Sequence, residues 1–358
     1  MLLEIILAFV KAGFILTAGL VIATILTWAE RKESALMQDR IGANRAAILG
    51  VRAAGLMHII CDAVKMITKE DFIPPAGNRF IHSLAPVLAF FSALAVMAVI
   101  PFGDNLVIAN YKIPLVVADI DVGILFIFAF GGLAVYGAIL GGWSSNNKLS
   151  LLGGMRAAAQ MISYEIGLGL SIIGLVMVYG TLSLSGIVQG QGGLIWGFIP
   201  KWGFVTQPLG FILFFIAAYA ESKRDPMNLP EGESEIVGFW TEYSSMKFGL
   251  FFFAEFVEVA VIAMVAATLF FGGWQVPYLY ESGFAFPWGW IWNLPHWLVV
   301  ILQVCSFFVK TIFFCWLQLL IRWTFPRFRY DQLMRLGWKG LLPLGLINIA
   351  LTAVLVLL

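Results

Sequence analysis

The chain has little charge, few cysteines and few histidines. Asp, Glu, Lys and Arg make up 12% of its 358 residues, and the formal net charge is +1. A balance that sparse and even excludes the bulk attraction that draws a protein to nucleic acid. Cys61, Cys305 and Cys315 share no CxxC or metal-ligand spacing and read as small apolar packing groups. We therefore expect no metal or iron–sulfur cluster bound by this chain. His58, His82 and His296 are isolated, with His58 a boundary residue beside apolar neighbours. Phosphate loops, nucleophile–base pairs, basic tails and internal repeats are all missing.

What fills the chain is apolar. Hydrophobic residues make up 61% of it, and the mean hydropathy is +0.91, which excludes an ordinary soluble domain. Apolar runs of about 20 residues recur, the length that crosses a bilayer as a helix. We expect an all-α, polytopic membrane protein, a single integral domain over 1–358. Its roughly eight transmembrane helices fall near 4–28, 82–101, 122–142, 154–180, 208–221, 247–271, 296–321 and 338–357. The fifth is short, and either begins near Trp202 or is tilted or broken. Glu4 and Lys11 interrupt the first run and no basic region precedes it, so we expect a retained span, not a cleaved signal.

The polar segment 29–81 is not all loop. Ala54, Met57, Ile60, Cys61, Val64 and Ile67 recur at helical spacing, with Asp62, Lys65 and Lys69 elsewhere. That pattern predicts an amphipathic helix along the membrane surface. Lys and Arg crowd the connections after the first, third, fifth and seventh spans, while the opposite connections hold little beyond Lys112 and Lys201. The positive-inside rule then puts the basic side in the cytoplasm and both termini outside.

The densest polar stretch, Glu221–Tyr243, packs six carboxylates and two cations between apolar runs, within an acidic cytoplasmic-side loop over 222–246. Such charge beside membrane helices costs several kcal/mol or more at depth and points to function. A solvated connection is the plain alternative. Glu165, Glu255, Glu258 and Lys310 lie inside spans. At about 1.5 Å per residue, Glu165 and Glu255 fall near mid-membrane. Glu255 and Glu258 share a helix face, and two carboxylates that close cannot both ionise cheaply, which suits proton relay. Protonated packing acids would explain Glu165 and Glu255 less well, and Glu258 about equally. Within the loop, Glu231 and Glu235 would share a face if the segment is helical, with Glu233 pointing away. Glu30-Arg31-Lys32 and Gln38-Asp39-Arg40 close the first span. Beside the surface helix, these arginines build either a salt-bridge cluster or the polar end of an apolar slot for a long-tailed amphiphile.

Four blocks carry a resemblance. They are Glu30-Arg31-Lys32 to Lys69-Glu70, Gly142-Trp143 to Tyr164-Glu165, the acidic loop, and Pro326-Arg327 to Trp338-Lys339. In this order, over nearly the whole length, the chain resembles the NADH dehydrogenase subunit 1 family of proton-pumping NADH:quinone oxidoreductase (respiratory complex I). The resemblance implies a component of the bacterial inner membrane that joins the membrane arm to the peripheral arm and forms much of a quinone chamber. Ubiquinone or menaquinone would be the substrate. Peripheral-arm quinone-site subunits, small membrane subunits and lipid would be the partners, with electrons arriving from partner-held clusters. Glu165, Glu221, Glu231, Glu233, Glu235 and Glu255 match the family's proton-coupling glutamates. Arg31, Arg40, Asp62 and Arg329 match residues of the chamber or its entrance.

The chain departs from the family at four points. It has Pro226-Met227-Asn228-Leu229 for Pro-Phe-Asp-Leu, Ala43 for Pro, His58 for Gln, and Glu258 for a neutral residue. Two other readings are a homologous component of an ion-translocating hydrogenase or ferredoxin-linked complex, and a stand-alone transporter. The transporter reading lacks the inverted repeats it would need.

Overall fold

The computed structural model describes residues 2–48, 50–108, 111–232, 235–280 and 282–357. Its helices in chain order are α1 (Leu2–Met37), α2 (Met57–Thr68), α3 (Arg79–Val96), α4 (Gly123–Ser144), α5 (Lys148–Tyr179) and α6 (Leu184–Gly190). They continue with α7 (Gly203–Thr206), α8 (Pro208–Glu221), α9 (Ser245–Phe270), α10 (His296–Thr324), α11 (Tyr330–Arg335) and α12 (Leu342–Leu357). A π-helical stretch, Leu336–Leu341, joins the last two. Short antiparallel strands form a hairpin (β1, Asn105–Ile108; β2, Tyr111–Pro114) and small sheets in two other connections. Among the described residues seven helices are long and apolar enough to cross a membrane, so the chain is polytopic and mainly helical as expected.

The eighth crossing is broken. α8 has 14 residues, about 21 Å of helix, short of the roughly 30 Å hydrocarbon core. α7 precedes it, and Gln207 between them leaves helical geometry. The Gln207 side chain reaches Thr352 Oγ1 of α12 at 2.8 Å, anchoring the break inside protein, where irregular backbone is tolerated.

Polar residues set the helix ends. Asn78 accepts from the amides of Phe80 and Ile81 to start α3, and Asn147 accepts from Leu149 to start α5. Starting at Lys148 makes α5 six residues longer at that end than the apolar run alone suggests. α1 departs further. It runs on through Glu30, Arg31 and Lys32 to Met37 as one helix of 36 residues, about 54 Å long. The polar partners described below hold that overhang.

Small residues let the helices approach. α4 packs along α3 and α5, and a Cβ on Gly137 would lie 2.8 Å from the Ala89 Cβ, the close backbone contact typical of membrane bundles. Lys310, a charge within α10, donates to the carbonyls of Phe271, Gly273 and Gln275 at 2.8, 2.9 and 2.6 Å and lies over the Trp202 ring. It caps the chain leaving α9.

α2 lies beside the ends of α1 and α9, with Ile60, Val64 and Ile67 exposed on its outer face. Ser245 Oγ donates to the Met66 carbonyl at 2.9 Å, tying α2 to the start of α9.

Candidate functional site

The end of α1, the start of α5, the end of α8 with the loop after it, and the end of α10 converge at one end of the bundle. Glu30 of α1 organises the junction. Its Oε2 accepts from Arg224 Nη1, and its Oε1 is ion-paired with Arg322 Nη1, both at 2.8 Å. The Arg224 guanidinium also sits 4.0 Å from the Phe256 ring centroid. Both Arg224 and Glu30 are largely buried. Their attraction offsets a desolvation cost of several kcal/mol per ion only because the geometry is good on both sides.

The loop after α8 is pinned to α5. Gln160 Nε2 donates at 2.7 Å to the carbonyls of both Ala220 and Met227, and Ser150 Oγ to that of Phe239. Gly153 makes the contact possible, since a Cβ there would stand 2.8 Å from the Phe239 amide nitrogen. The described part of this loop is turns, not helix. The condition under which Glu231 and Glu235 would share a face is therefore not met. Pro226 and Pro230 resist helix before them, and Val237 takes a φ of 67°. The two carboxylates part company. Glu235 is exposed and meets Arg156 of α5 at 2.6 Å. Glu231 turns inward, accepting from Trp240 Nε1 at 2.8 Å and Asn228 Nδ2 at 3.0 Å. Glu233 lies outside the described residues.

Their electrostatics differ accordingly. A hydrogen bond from Arg156, and then its charge, holds Glu235 below the usual carboxylate value. Burial pushes Glu231 up, yet hydrogen bonds from Glu255, Trp240 and Asn228 and the charge of Lys223 bring it below that value. Glu231 on the loop and Glu255 on α9 thus act on each other's charge.

From there polar groups continue inward. Lys223, buried and with a left-handed φ of 57°, lies 3.3 Å from Glu258 Oε2 and donates to Oε1 at 3.4 Å. Burial opposes its charge, but Glu258 and Glu255 outweigh that and hold it above the ordinary lysine value. Glu221, at the end of α8, is within electrostatic reach of Glu258 and Glu165. Two consecutive glycines of α4 make room for these acids. A Cβ on Gly131 would lie 3.2 Å from Glu221 Oε1, and one on Gly132 would lie 3.5 Å from Glu165 Oε1. A cavity of about 80 Å³, lined by Glu221, Glu258, Ser92, Ser222 and apolar side chains, adjoins them. One water needs about 10–15 Å³ of such space, so it has room for several.

A second feature shares α1. Between α1 and α10 lies an apolar cavity of about 990 Å³, walled by residues such as Ile22, Leu26, Ala29 and Trp316, with Lys32, Glu33 and Arg40 among its polar lining. Of the two arginines, Arg40 lines this cavity and Arg31 does not. Arg40 donates to Gln38 Oε1 at 2.7 Å. Arg31 and Asp62 pair at 2.6 Å and tie α1 to α2 alongside. Arg329 is apart from them, exposed at the start of α11 and 3.3 Å from Asp331. Among the described residues, no three His, Cys, Asp or Glu side chains form a group that could hold a metal ion.

Read along the chain, Arg224 is only a marker of the basic side, and Glu30 does not stand out as the acid that pairs with it and with Arg322. The available signal is an acid beside one span end facing two arginines at other span ends on the same side.

The comparisons with known proteins agree with this architecture. The family model described as NADH dehydrogenase matches residues 10–353. The NADH-quinone oxidoreductase H subunit numbered 1 of Cytophaga hutchinsonii is 46% identical, covering 96% of this chain and 95% of its own. NADH-quinone oxidoreductase subunit 8 of Rhodothermus marinus is also 46% identical, with the same two coverages. The NADH-quinone oxidoreductase H subunit of Thermomicrobium roseum is 44% identical, covering 95% of this chain and 93% of its own. With both a family model and near-full-length relatives matched, the chain belongs to the NADH dehydrogenase family.

Proposed function

We propose that this chain is a membrane subunit of a proton-translocating NADH:quinone oxidoreductase. It walls a quinone chamber and couples quinone reduction to proton movement through its acids. The relatives' names, all of NADH-quinone oxidoreductase subunits, support the assembly. One observation carries the coupling: Glu231 of the loop and Glu255 of α9 act on each other, Glu221 and Glu165 do so deeper between the helices, and Glu30 ties the loop's Arg224 to the helix that walls the slot.

The slot fits a long-tailed quinone in shape and polarity. Its apolar walls suit an isoprenoid tail and Arg40 and Lys32 can donate to a carbonyl headgroup. Quinone reduction takes up two protons with two electrons, so the headgroup's charge changes as it reacts. Nearby carboxylates then change their proton affinity, and a chain of them passes the change inward. Electrons come from partner subunits at the peripheral arm. The Lys and Arg distribution supports a cytoplasmic face for the acidic loop and a periplasmic face for both termini, in a bacterial inner membrane. Arg31 and Asp62 hold α2 against the slot, and Arg329 sits where a peripheral partner would dock.

Glu165→Gln and Glu255→Gln keep size and hydrogen bonding while removing titration. In the assembled complex we expect both to lower quinone-dependent turnover and proton pumping, with electron transfer to an artificial upstream acceptor intact. Normal coupled pumping in both variants would overturn the relay.

A further inference from the structure

We propose that Glu258 carries protons between the outer and inner acids, and that Lys223 gates this step by choosing between its neighbours. This deepens the relay reading above and rests on it.

The geometry isolates Glu258 as a joint. On its loop side a void of about 10 Å³ is lined by Lys223, Glu255 and Glu258, which is about one water position. On its inner side is the 80 Å³ cavity that also touches Glu221. Ala134 and Glu258 line both spaces, and only Glu258 titrates. A proton passing from Glu255 to Glu221 by these spaces meets the Glu258 carboxyl on the way.

Lys223 makes that meeting conditional. Its ammonium is bonded to Glu258, yet Glu255 and Glu231 also act on it from the loop side. Arg224 is held by Glu30 and so is not free to replace it. Glu221 faces Glu258 from the far side, across the cavity both line, with Glu165 beyond it. A purely structural ion pair buried this deeply would have both carboxylate oxygens well satisfied. Here Glu258 Oε2, although 3.3 Å from the ammonium, has no hydrogen-bond donor. Lys223 also holds a left-handed backbone, a conformation that persists where surroundings enforce it.

The step balances without any other reactant. At the start Glu231 and Glu258 are carboxylates, Glu255 holds one proton, and the ammonium is at Glu258. The ammonium first moves to the Glu231 carboxylate, and the proton then leaves Glu255 and bonds to the freed Glu258. Glu231 and Glu255 now carry two negative charges, which hold the ammonium on their side. Glu258, now neutral, can pass its proton on towards Glu221. Return of Lys223 to the Glu258 carboxylate, with a new proton reaching Glu255 from the loop side, resets the gate. While the ammonium stays on Glu258 that carboxylate is occupied, which closes the route between turns.

The test uses the assembled complex in sealed vesicles, with NADH-driven quinone turnover and proton pumping measured beside electron transfer to an artificial upstream acceptor. Glu258→Gln is expected to lower pumping and quinone turnover about 3- to 10-fold, and Glu258→Asp to keep most of both. Lys223→Gln leaves the acid without its cation, so the alkaline limb of the pH profile should move upward. The double variant Lys223→Gln/Glu258→Gln restores a neutral, hydrogen-bonding pair and should stay as low as Glu258→Gln alone. Recovery in the double variant would overturn the proposal, because only a structural pair is rescued by neutrality. Full pumping in Glu258→Gln would do the same. If Glu258→Gln does not assemble, the double variant and Glu258→Asp decide between the two readings. Normal pumping in Glu258→Gln, with Glu255→Gln and Glu165→Gln impaired, would sink this inference alone. Normal pumping in all three would sink the relay with it.

Discussion

Arg156 Nη1 meets Glu235 Oε2 at 2.6 Å, fastening the exposed part of the acidic loop to the first turns of α5. The carboxylate is held below its usual range by that hydrogen bond and charge. A lowered carboxylate contributes stability above its ordinary value, and the contribution is lost as pH falls through the lowered one. Glu235 is more than half exposed, so the contribution is small, about 0.2–1 kcal/mol. Arg156→Gln should therefore speed limited proteolysis of the loop near neutral pH. The difference from the parent should close on acidification below about pH 4. An equal difference at every pH would show that Arg156 acts by packing instead.

Removing the acid of the central junction should be more severe. Glu30→Gln leaves Arg224, which is 5% exposed, and Arg322 facing a neutral amide. Breaking a buried pair from one side costs about 3–5 kcal/mol. We expect less assembled complex and a lower thermal midpoint, with Glu30→Asp intermediate. An unchanged midpoint would mean that water or lipid headgroups satisfy the arginines.

Gly153→Ala sets two effects against each other. Alanine favours a helix interior by about 1 kcal/mol over glycine. Its Cβ, however, would meet the Phe239 backbone nitrogen at 2.8 Å, and overpacking of that kind costs about 1–3 kcal/mol. The clash should win, displacing the loop and lowering quinone-dependent turnover while upstream electron transfer persists. A fully active variant would show that the loop can shift without consequence.

Arg40→Ala and Ala29→Trp probe the slot from its polar and apolar parts. We expect Arg40→Ala to weaken quinone-dependent turnover and spare artificial acceptors. Ala29→Trp should raise KM for long-tailed quinones more than for short-tailed ones. Equal effects on both tail lengths would place the tail elsewhere.

Much of this molecule is legible in its residues, and what is not has a common cause. The apolar runs locate every crossing, Asn147 explains where α5 starts, and the spacing of Ile60, Val64 and Ile67 gives α2. The slot follows from Arg40 and the surface helix lying next to one long apolar helix. The loop defeats local reasoning because its fold is set from outside. Gln160 pulls Met227 inward and Arg156 pulls Glu235 outward, so alternating acids that look equivalent face opposite ways. Glu30 and Arg224 are 194 residues apart, a pairing no window along the chain reveals. Lys310 is the converse, a charge inside a span that would suggest ion passage and instead caps three carbonyls. Asn228, where the family has an acid, donates to Glu231 at 3.0 Å.

Glu30 belongs to the helix that walls the slot, and its arginine partner adjoins the lysine of the acidic loop. A ligand that shifts α1 must therefore work against the loop's charges, and the loop's protonation must alter how tightly the slot holds its ligand. Linkage makes the two influences equal in free energy. Affinity measured across pH, and proton uptake measured on adding ligand, should yield one and the same coupling factor, obtainable without turning the enzyme over.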